Sequence, residues 1–255
     1  MNRMKSEDLD ALLAELDIGR GDCVCVHAFV PSLGVVDGGI AAIADAFQRR
    51  IGEQGTLIVP TFTASYRRGE IYDVKMSKSF NGTLSEYVRQ QPGVVRSLCP
   101  LFSMAALGPD ARRLMRRPTA HCFGAGSVYQ NLFDADVKFV GLGIGWNEGY
   151  SFFMHLERIA GIPARREEKF YGRTRLADES IIDDSAVHFV RVESPPWKRD
   201  RGRIAGPLIE RGAMREARRD GCAHRTFYAG RLATVTLELL TVDPWCMTDR
   251  ARRLA

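Results

Sequence analysis

The sequence lacks any CxxC pair, although it carries six cysteines, at positions 23, 25, 99, 122, 222 and 246. Thiols scattered in this way through 255 residues do not read as a disulfide framework, and the spacing of a zinc site is missing. Free thiols and no metal are expected. Cys23 and Cys25 alternate within an apolar run, which points to buried packing rather than catalysis. No stretch approaches the ~20 apolar residues of a membrane span, and the opening MNRMKSEDLDALLAEL has no continuous apolar core of a signal peptide. A cytoplasmic protein without a membrane partner is expected. Internal repeats, low-complexity tracts and flexible linkers are also absent.

What is present is enough apolar residue, 45% of the chain, to bury a substantial core, and the length suits one α/β domain over residues 1–255. The formal net charge is +5, and its arginines gather late, in PARREEKFYGRTR, WKRDRGR and MREARRDG. Such a surface attracts phosphates or carboxylates. Acidic residues lie among these arginines and no recognition motif accompanies them, so nucleic acid is not the expected partner. A solvated charged face is the plainer reading.

Leu9, Leu12, Leu13 and Leu16 have helical spacing over 6–16, and Cys23–Phe29 reads as a buried strand. A loop marked by Gly34, Gly38 and Gly39 leads to a helical pattern, IAAIADAFQRRIG, and then to the strand TLIVPTFT. Further expectations are a helix near 83–91, a strand near 101–107, a strand within ADVKFVGLGIG and a helix over 151–160. Beyond Pro163 the pattern predicts short strands and irregular turns to about 203, a helix near 207–219 and a closing helix over 229–241. The loop after the first strand is a candidate ligand cradle, since glycines let backbone N–H groups approach an anion. Taken alone, the same glycines fit any tight strand-to-helix turn.

Several blocks in order carry a stronger signal. VHAFVPSLGVVDGG, GEQGTLIVPTFT, RSLCPLFSMAALG, CFGAGSVYQNL, DADVKFVGLGIG and SFFMHLERIAGIPAR resemble the aminoglycoside 3-N-acetyltransferase family, well over residues 20–170 and loosely over 171–255. The resemblance implies a mixed α/β sheet flanked by helices, acetyl-CoA or another acyl-CoA as co-substrate, and a small-molecule amine as acceptor; it leaves a homodimer open. Ser32, Leu33 and Gly34 would line the thioester end of the donor, Thr61 would cap its strand, and Ser97, Ser103 and Phe123 would complete the donor groove. Each also has an ordinary reading, in turns or in the core. His27 matches a histidine of the family, and a structural hydrogen-bonding role is favoured for it.

In the family the helix at SFFMHLE reads approximately TSLHxxE, with histidine three residues before glutamate as a general-base pair. Here, with Glu157 aligned, Met154 stands in the histidine's place and His155 follows it. One residue is ~100° around a helix, so neither alignment preserves the pair. Three readings stay open: His155 and Glu157 act on a shifted helix, Glu157 acts alone or through water, or a CoA-binding relative has lost transfer. The Arg-rich late region favours a neutral or anionic acceptor, such as an amino sugar, a siderophore-type amine or a natural-product intermediate, over a polycationic aminoglycoside. An aminoglycoside resistance enzyme is the alternative, and a protein-bound donor in place of free CoA is a further reading.

Overall fold

Alternation decides the centre of the molecule. In Cys23–Ala28 the side chains of Val24 and Val26 point to one face and those of Cys25 and His27 to the other, as the period-2 geometry of a strand requires, and all four are buried. The computed structural model describes residues 3–194 and 196–250. In chain order it contains β1 (Arg3–Met4), α1 (Ser6–Glu15), β2 (Cys23–Ala28), a 3-10 turn (Val30–Leu33), β3 (Val35–Val36), α2 (Gly39–Ile51) and β4 (Thr56–Pro60). A second 3-10 turn (Ala64–Arg68), β5 (Tyr72–Asp73), α3 (Thr83–Arg89), β6 (Val95–Arg96), β7 (Met104–Leu107), α4 (Ala111–Leu114), α5 (Val128–Asp134), β8 (Lys138–Leu142) and α6 (Phe152–Ile159) follow. The chain continues through β9 (Arg165–Arg175), β10 (Ile181–Arg191), a 3-10 turn (Arg201–Ile204), α7 (Ala205–Glu210), β11 (Arg215–Arg219), β12 (Cys222–Tyr228) and α8 (Ala229–Val242).

Seven strands form the main sheet in the order β11-β12-β8-β2-β4-β7-β6. Its centre is parallel: β2 lies between β4 (Cys23 opposite Thr56) and β8 (Val24 opposite Lys138), while the flanking strands pair antiparallel. Helices cover both faces, as a sheet with a parallel centre demands. On the face of Val24 and Val26, Leu9, Leu12 and Leu13 of α1 and Ile43 and Phe47 of α2 form one core. On the face of Cys25, residues of α5, α6 and α8, including Tyr129, Phe152 and Leu232, form the other. Each such fully buried large side chain contributes roughly 1.5–3 kcal/mol. The mixed sheet flanked by helices is thus the expected fold class, and all six cysteines are free thiols.

Two expectations for the C-terminal third need correction. Residues after Pro163 form one long hairpin rather than short strands: β9 and β10 have 11 residues each and pair throughout, from Arg165 opposite Arg191 to Arg175 opposite Ile181. Its largely exposed, charged residues (RREEKFYGRTR) conceal the alternation on which strand assignment rests. The helix predicted over 207–219 ends at Glu210, and Arg215–Arg219 is strand β11. Asp220 (φ +50°) and Gly221 (φ +79°) turn it into β12, which is the Asp-Gly hairpin signal. Among the described residues no helix is long and apolar enough to cross a membrane.

The C-terminal ends of β2 and β8 are held together by close backbone approach. Phe29 N–H donates to the Leu142 carbonyl at 2.9 Å, and a Cβ placed on Gly143 would collide with the Ser32 hydroxyl and its Cβ, at a φ of +61° that favours glycine. Gly143→Ala is therefore expected to lower stability by about 1–3 kcal/mol, read as a lower urea midpoint with an unchanged slope; an unchanged midpoint would show that the turn has room to spare.

Candidate active site

Because β2, β4 and β8 run parallel, their C-terminal ends open on one edge of the sheet, where ligands of α/β sheets are usually received. Ser32, Leu33 and Gly34 lie there in a tight turn: Ser32 N–H donates to the Phe29 carbonyl at 2.9 Å and Gly34 N–H to the Pro31 carbonyl at 3.2 Å. Gly34 has φ +70°, Leu33 packs into the core beside α1 and α2, and the Ser32 hydroxyl is buried without a partner. Phe29, by contrast, is 56% exposed at the mouth of this turn.

Thr61, Ser97 and Ser103 come together, but around an arginine rather than around a groove. Arg96 donates to the Thr61 carbonyl (2.6 Å), Thr61 Oγ1 (3.1 Å), Thr63 Oγ1 (3.1 Å), Ser103 Oγ (3.3 Å) and the Ser77 carbonyl (2.6 Å). Its guanidinium stands 5.0 Å over the Tyr72 ring, whose hydroxyl donates to the Ser97 carbonyl at 2.7 Å. Ser97 Oγ accepts from Met104 N–H at 3.0 Å. All three predicted residues are buried with their hydroxyls engaged inside the protein. Arg96 was not singled out in the sequence, although it opens the RSLCPLFS block. The knot braces the loop after β4, where Phe62, Thr63, Arg68, Glu70, Lys78 and Phe80 border a recess of about 500 Å³. Phe123 is separate from it: its ring packs on Phe102 (4.7 Å), Tyr129 (4.8 Å) and His188 (5.9 Å).

Helix α6 does not join His155 to Glu157. Two residues apart on a helix, they point about 200° apart. His155 is fully buried, with rings of Phe152, Phe133 and Tyr129 at 5.5, 5.9 and 6.3 Å. Its Nδ1 accepts the Gly124 N–H at 3.1 Å, which leaves the proton of the neutral ring on Nε2, an atom buried without a partner. Glu157 is 1% exposed and accepts from Arg165 Nε at 2.6 Å, while Arg165 Nη1 donates to the Phe189 carbonyl at 3.2 Å. Met154 keeps 9% exposure, more than either residue beside it.

Two further imidazoles border this region. His27 Nε2 lies 3.2 Å from Ser151 Oγ, which lies 2.5 Å from the Tyr129 hydroxyl, so the end of β2 is tied to the start of α6 and to α5. His188 of β10, missed in the sequence because it sits within a hairpin not foreseen there, packs 4.6 Å from Phe102. Burial pulls His27 and His155 down to about 4, and burial aided by Arg67 and Arg165 pulls His188 to about 3. All three are neutral at pH 7. Since these values lie below the 6.5 of an unperturbed histidine, the unfolded chain takes up protons first as pH falls. Their stabilisation is complete above about pH 6.5 and is lost as pH drops toward 4. Melts at pH 7.5 and pH 5 should differ by on the order of 3–6 kcal/mol in stability, with the acid sample the less stable; equal stability at the two pH values would refute the neutral buried state.

A sequence model for the family described as aminoglycoside 3-N-acetyltransferase matches residues 25–241. Aminoglycoside N(3)-acetyltransferase VII of Streptomyces paromomycinus is 32% identical over 174 residues, and aminoglycoside N(3)-acetyltransferase VIII of Streptomyces fradiae 31% over 174 residues; each match covers 60% of this chain and 60% of the relative. The chain thus spans about 60% of the length of these curated relatives. Among solved structures, AAC-IIIb in a binary complex with CoASH superposes with a TM-score of 0.82 at 22% identity, covering 94% of this chain and 97% of that one. AAC-VIa bound to sisomicin gives 0.79 at 20% identity, covering 94% and 98%. These two establish a shared fold, and the family match, which runs from the middle of β2 to the last turns of α8, establishes that the chain belongs to the aminoglycoside 3-N-acetyltransferase family.

Proposed function

We propose that this chain transfers an acetyl or other acyl group from acyl-CoA to the amine of a small molecule. The observation that carries the reading is the family match over residues 25–241, which includes every segment meeting at the C-terminal edge of β2, β4 and β8. In the reaction the neutral amine attacks the thioester carbonyl, the tetrahedral adduct collapses, the C–S bond breaks, and the proton lost by the amine balances the thiolate released as CoA–SH. The Ser32–Gly34 turn is the proposed contact for the thioester end of the donor. Thr61 and Ser103 hold the strand ends and the loop after β4 in place through Arg96, Ser97 does so through Tyr72 and Met104, and Phe123 packs beside Phe102 and Tyr129.

On α6 we assign His155 and Glu157 to positioning. His155 fixes Gly124, next to Phe123, and Glu157 ties the helix to the hairpin through Arg165. The side chain in the family histidine's place is Met154, so attack by an amine that is already unprotonated is the route this helix permits. The acceptor best suited to the Arg-rich surroundings is neutral or anionic. The same α6 geometry favours one second reading, a CoA-binding relative without turnover. The transferases named among the relatives keep an aminoglycoside in the panel to be tested.

Thiol release from acetyl-CoA with a panel of amino sugars, amino acids and aminoglycosides tests the reading, with CoA titrated by calorimetry. CoA binding together with release on some amine is expected; binding without release on any amine establishes the second reading instead. Met154→His should raise kcat by about 10²–10⁴-fold, the factor that a general base supplies, and introduce a rise with pH. No gain would show that proton removal does not limit turnover. Glu157→Ala leaves Arg165 buried and unpaired, and is expected to cost about 3–5 kcal/mol of stability. If Glu157→Ala instead keeps its stability while losing kcat, Glu157 is catalytic and its assignment to positioning is wrong.

A further inference from the structure

The segment after β10 returns across the loop that follows β8 and brings two arginines to the start of α6. Arg199 Nη1 donates to the Asn147 carbonyl at 2.7 Å, and Arg201 N–H donates to Asn147 Oδ1 at 2.9 Å, so one residue anchors both. The Arg201 side chain is 1% exposed. Its Nη1 donates to the Tyr150 carbonyl at 3.2 Å and its guanidinium lies 4.9 Å over the Phe153 ring. Arg165, fixed to Glu157, faces the same ground, 5.6 Å over the Trp197 ring.

Their donors are not exhausted. Arg165 Nη2, Arg199 Nε and both Nε and Nη2 of Arg201 are buried without a hydrogen-bond partner. Among the described residues, the carboxylates that act most strongly on Arg199 and Arg201 are Glu157, already bonded to Arg165, and Glu148, which is exposed. Burying guanidinium groups in excess of their counter-charges is costly unless an anion completes them. The planar fork of each group suits a carboxylate or a phosphate in particular. Burial pulls Arg201 down to about 9, opposed by Glu157 and reinforced by Arg199 and Arg165, which agrees with a cluster short of negative charge.

We propose that Arg165, Arg199 and Arg201 form an oxyanion-binding site that takes a carboxylate or phosphate group carried by the acceptor. Phe153, beneath Arg201, belongs to α6, so an anion held here packs against the helix that carries Met154. The hydrogen bonds and ring contacts found for the three arginines run to Asn147, Tyr150, Phe153, Glu157, Phe189 and Trp197 and not to the Ser32–Gly34 turn. The site therefore belongs to the acceptor rather than to the donor. The assignment to the acceptor rests on the transferase reading; the binding itself does not.

The test is thermal melting of the full chain against inorganic phosphate and against succinate, at ionic strength matched with chloride, with and without saturating CoA. The unmodified protein should show a saturable rise in Tm that persists in CoA, larger for the anion whose geometry the acceptor group shares. Arg199→Gln should abolish that rise. Arg201→Met, which removes the uncompensated charge while keeping bulk, should abolish it without lowering the anion-free Tm; if Arg201→Met does not fold, Arg199→Gln decides. No saturable rise with either anion, or a rise unchanged in Arg199→Gln, overturns the proposal. So does a rise that disappears in CoA but survives in Arg199→Gln, since the anion then occupies the contacts of the CoA phosphates. Failure of every amine to release thiol, with the anion response intact, would sink the transferase reading and leave the site standing.

Discussion

Everything at the candidate site depends on the burial of β2 on both faces between two parallel neighbours. Parallel pairing aligns the ends of β4, β2 and β8, so Thr61, Ala28 and Gly143 reach one edge together. The backbone groups there can no longer continue the ladder and must turn, which produces the tight Val30–Leu33 turn and the approach of Gly143 beneath Ser32. The same burial sets the side-chain faces: His27 is directed to the face carrying α5 and α6, where Ser151 and Tyr129 receive it. A slip of one residue in β2 would send His27 to the other core.

Helix α6 shows how packing redistributes residues that a motif would group. Its buried surface is so wide that six consecutive residues, Phe152 to Glu157, lose nearly all solvent. An imidazole in such a place is useful as a neutral acceptor for one backbone N–H, and a carboxylate is tolerated only against a guanidinium. Both conditions are met, His155 by Gly124 and Glu157 by Arg165. The consequence is mechanical as much as chemical: α6 is fastened at one point to the segment carrying Phe123 and at another to the β9–β10 hairpin. The wall of the site is thus built from three separated parts of the chain.

Charge follows the same rule. The late arginines that look like a solvated face in the sequence divide into two populations. Arg166, Arg211 and Arg218 pair with carboxylates at the surface, where such pairs contribute little. Arg165, Arg199 and Arg201 are drawn inward around Trp197, Phe153 and Asn147. The second group keeps buried donors without a hydrogen-bond partner, where low dielectric makes an interaction strong.

By itself the sequence determined the family and, through it, the mixed sheet, and by apolar spacing helices α1, α2, α3, α6 and α8 but not α4 or α5, since these depend on local period and on ordered blocks that survive without knowledge of contacts. The Ser32–Gly34 turn was legible for the same reason: glycines mark where backbone must turn. The β9–β10 hairpin was not, because its exposed, charged faces lack the alternation that burial writes into a strand, and β11 was hidden in residues that favour a helix until the Asp220–Gly221 turn claims them. Nor could spacing reveal that Thr61 and Ser103 converge on Arg96, or that His155 and Glu157 face opposite partners. Those outcomes depend on which groups lie across a helix or a sheet from one another, and on the cost of burying a polar atom without a partner; only tertiary structure decides either.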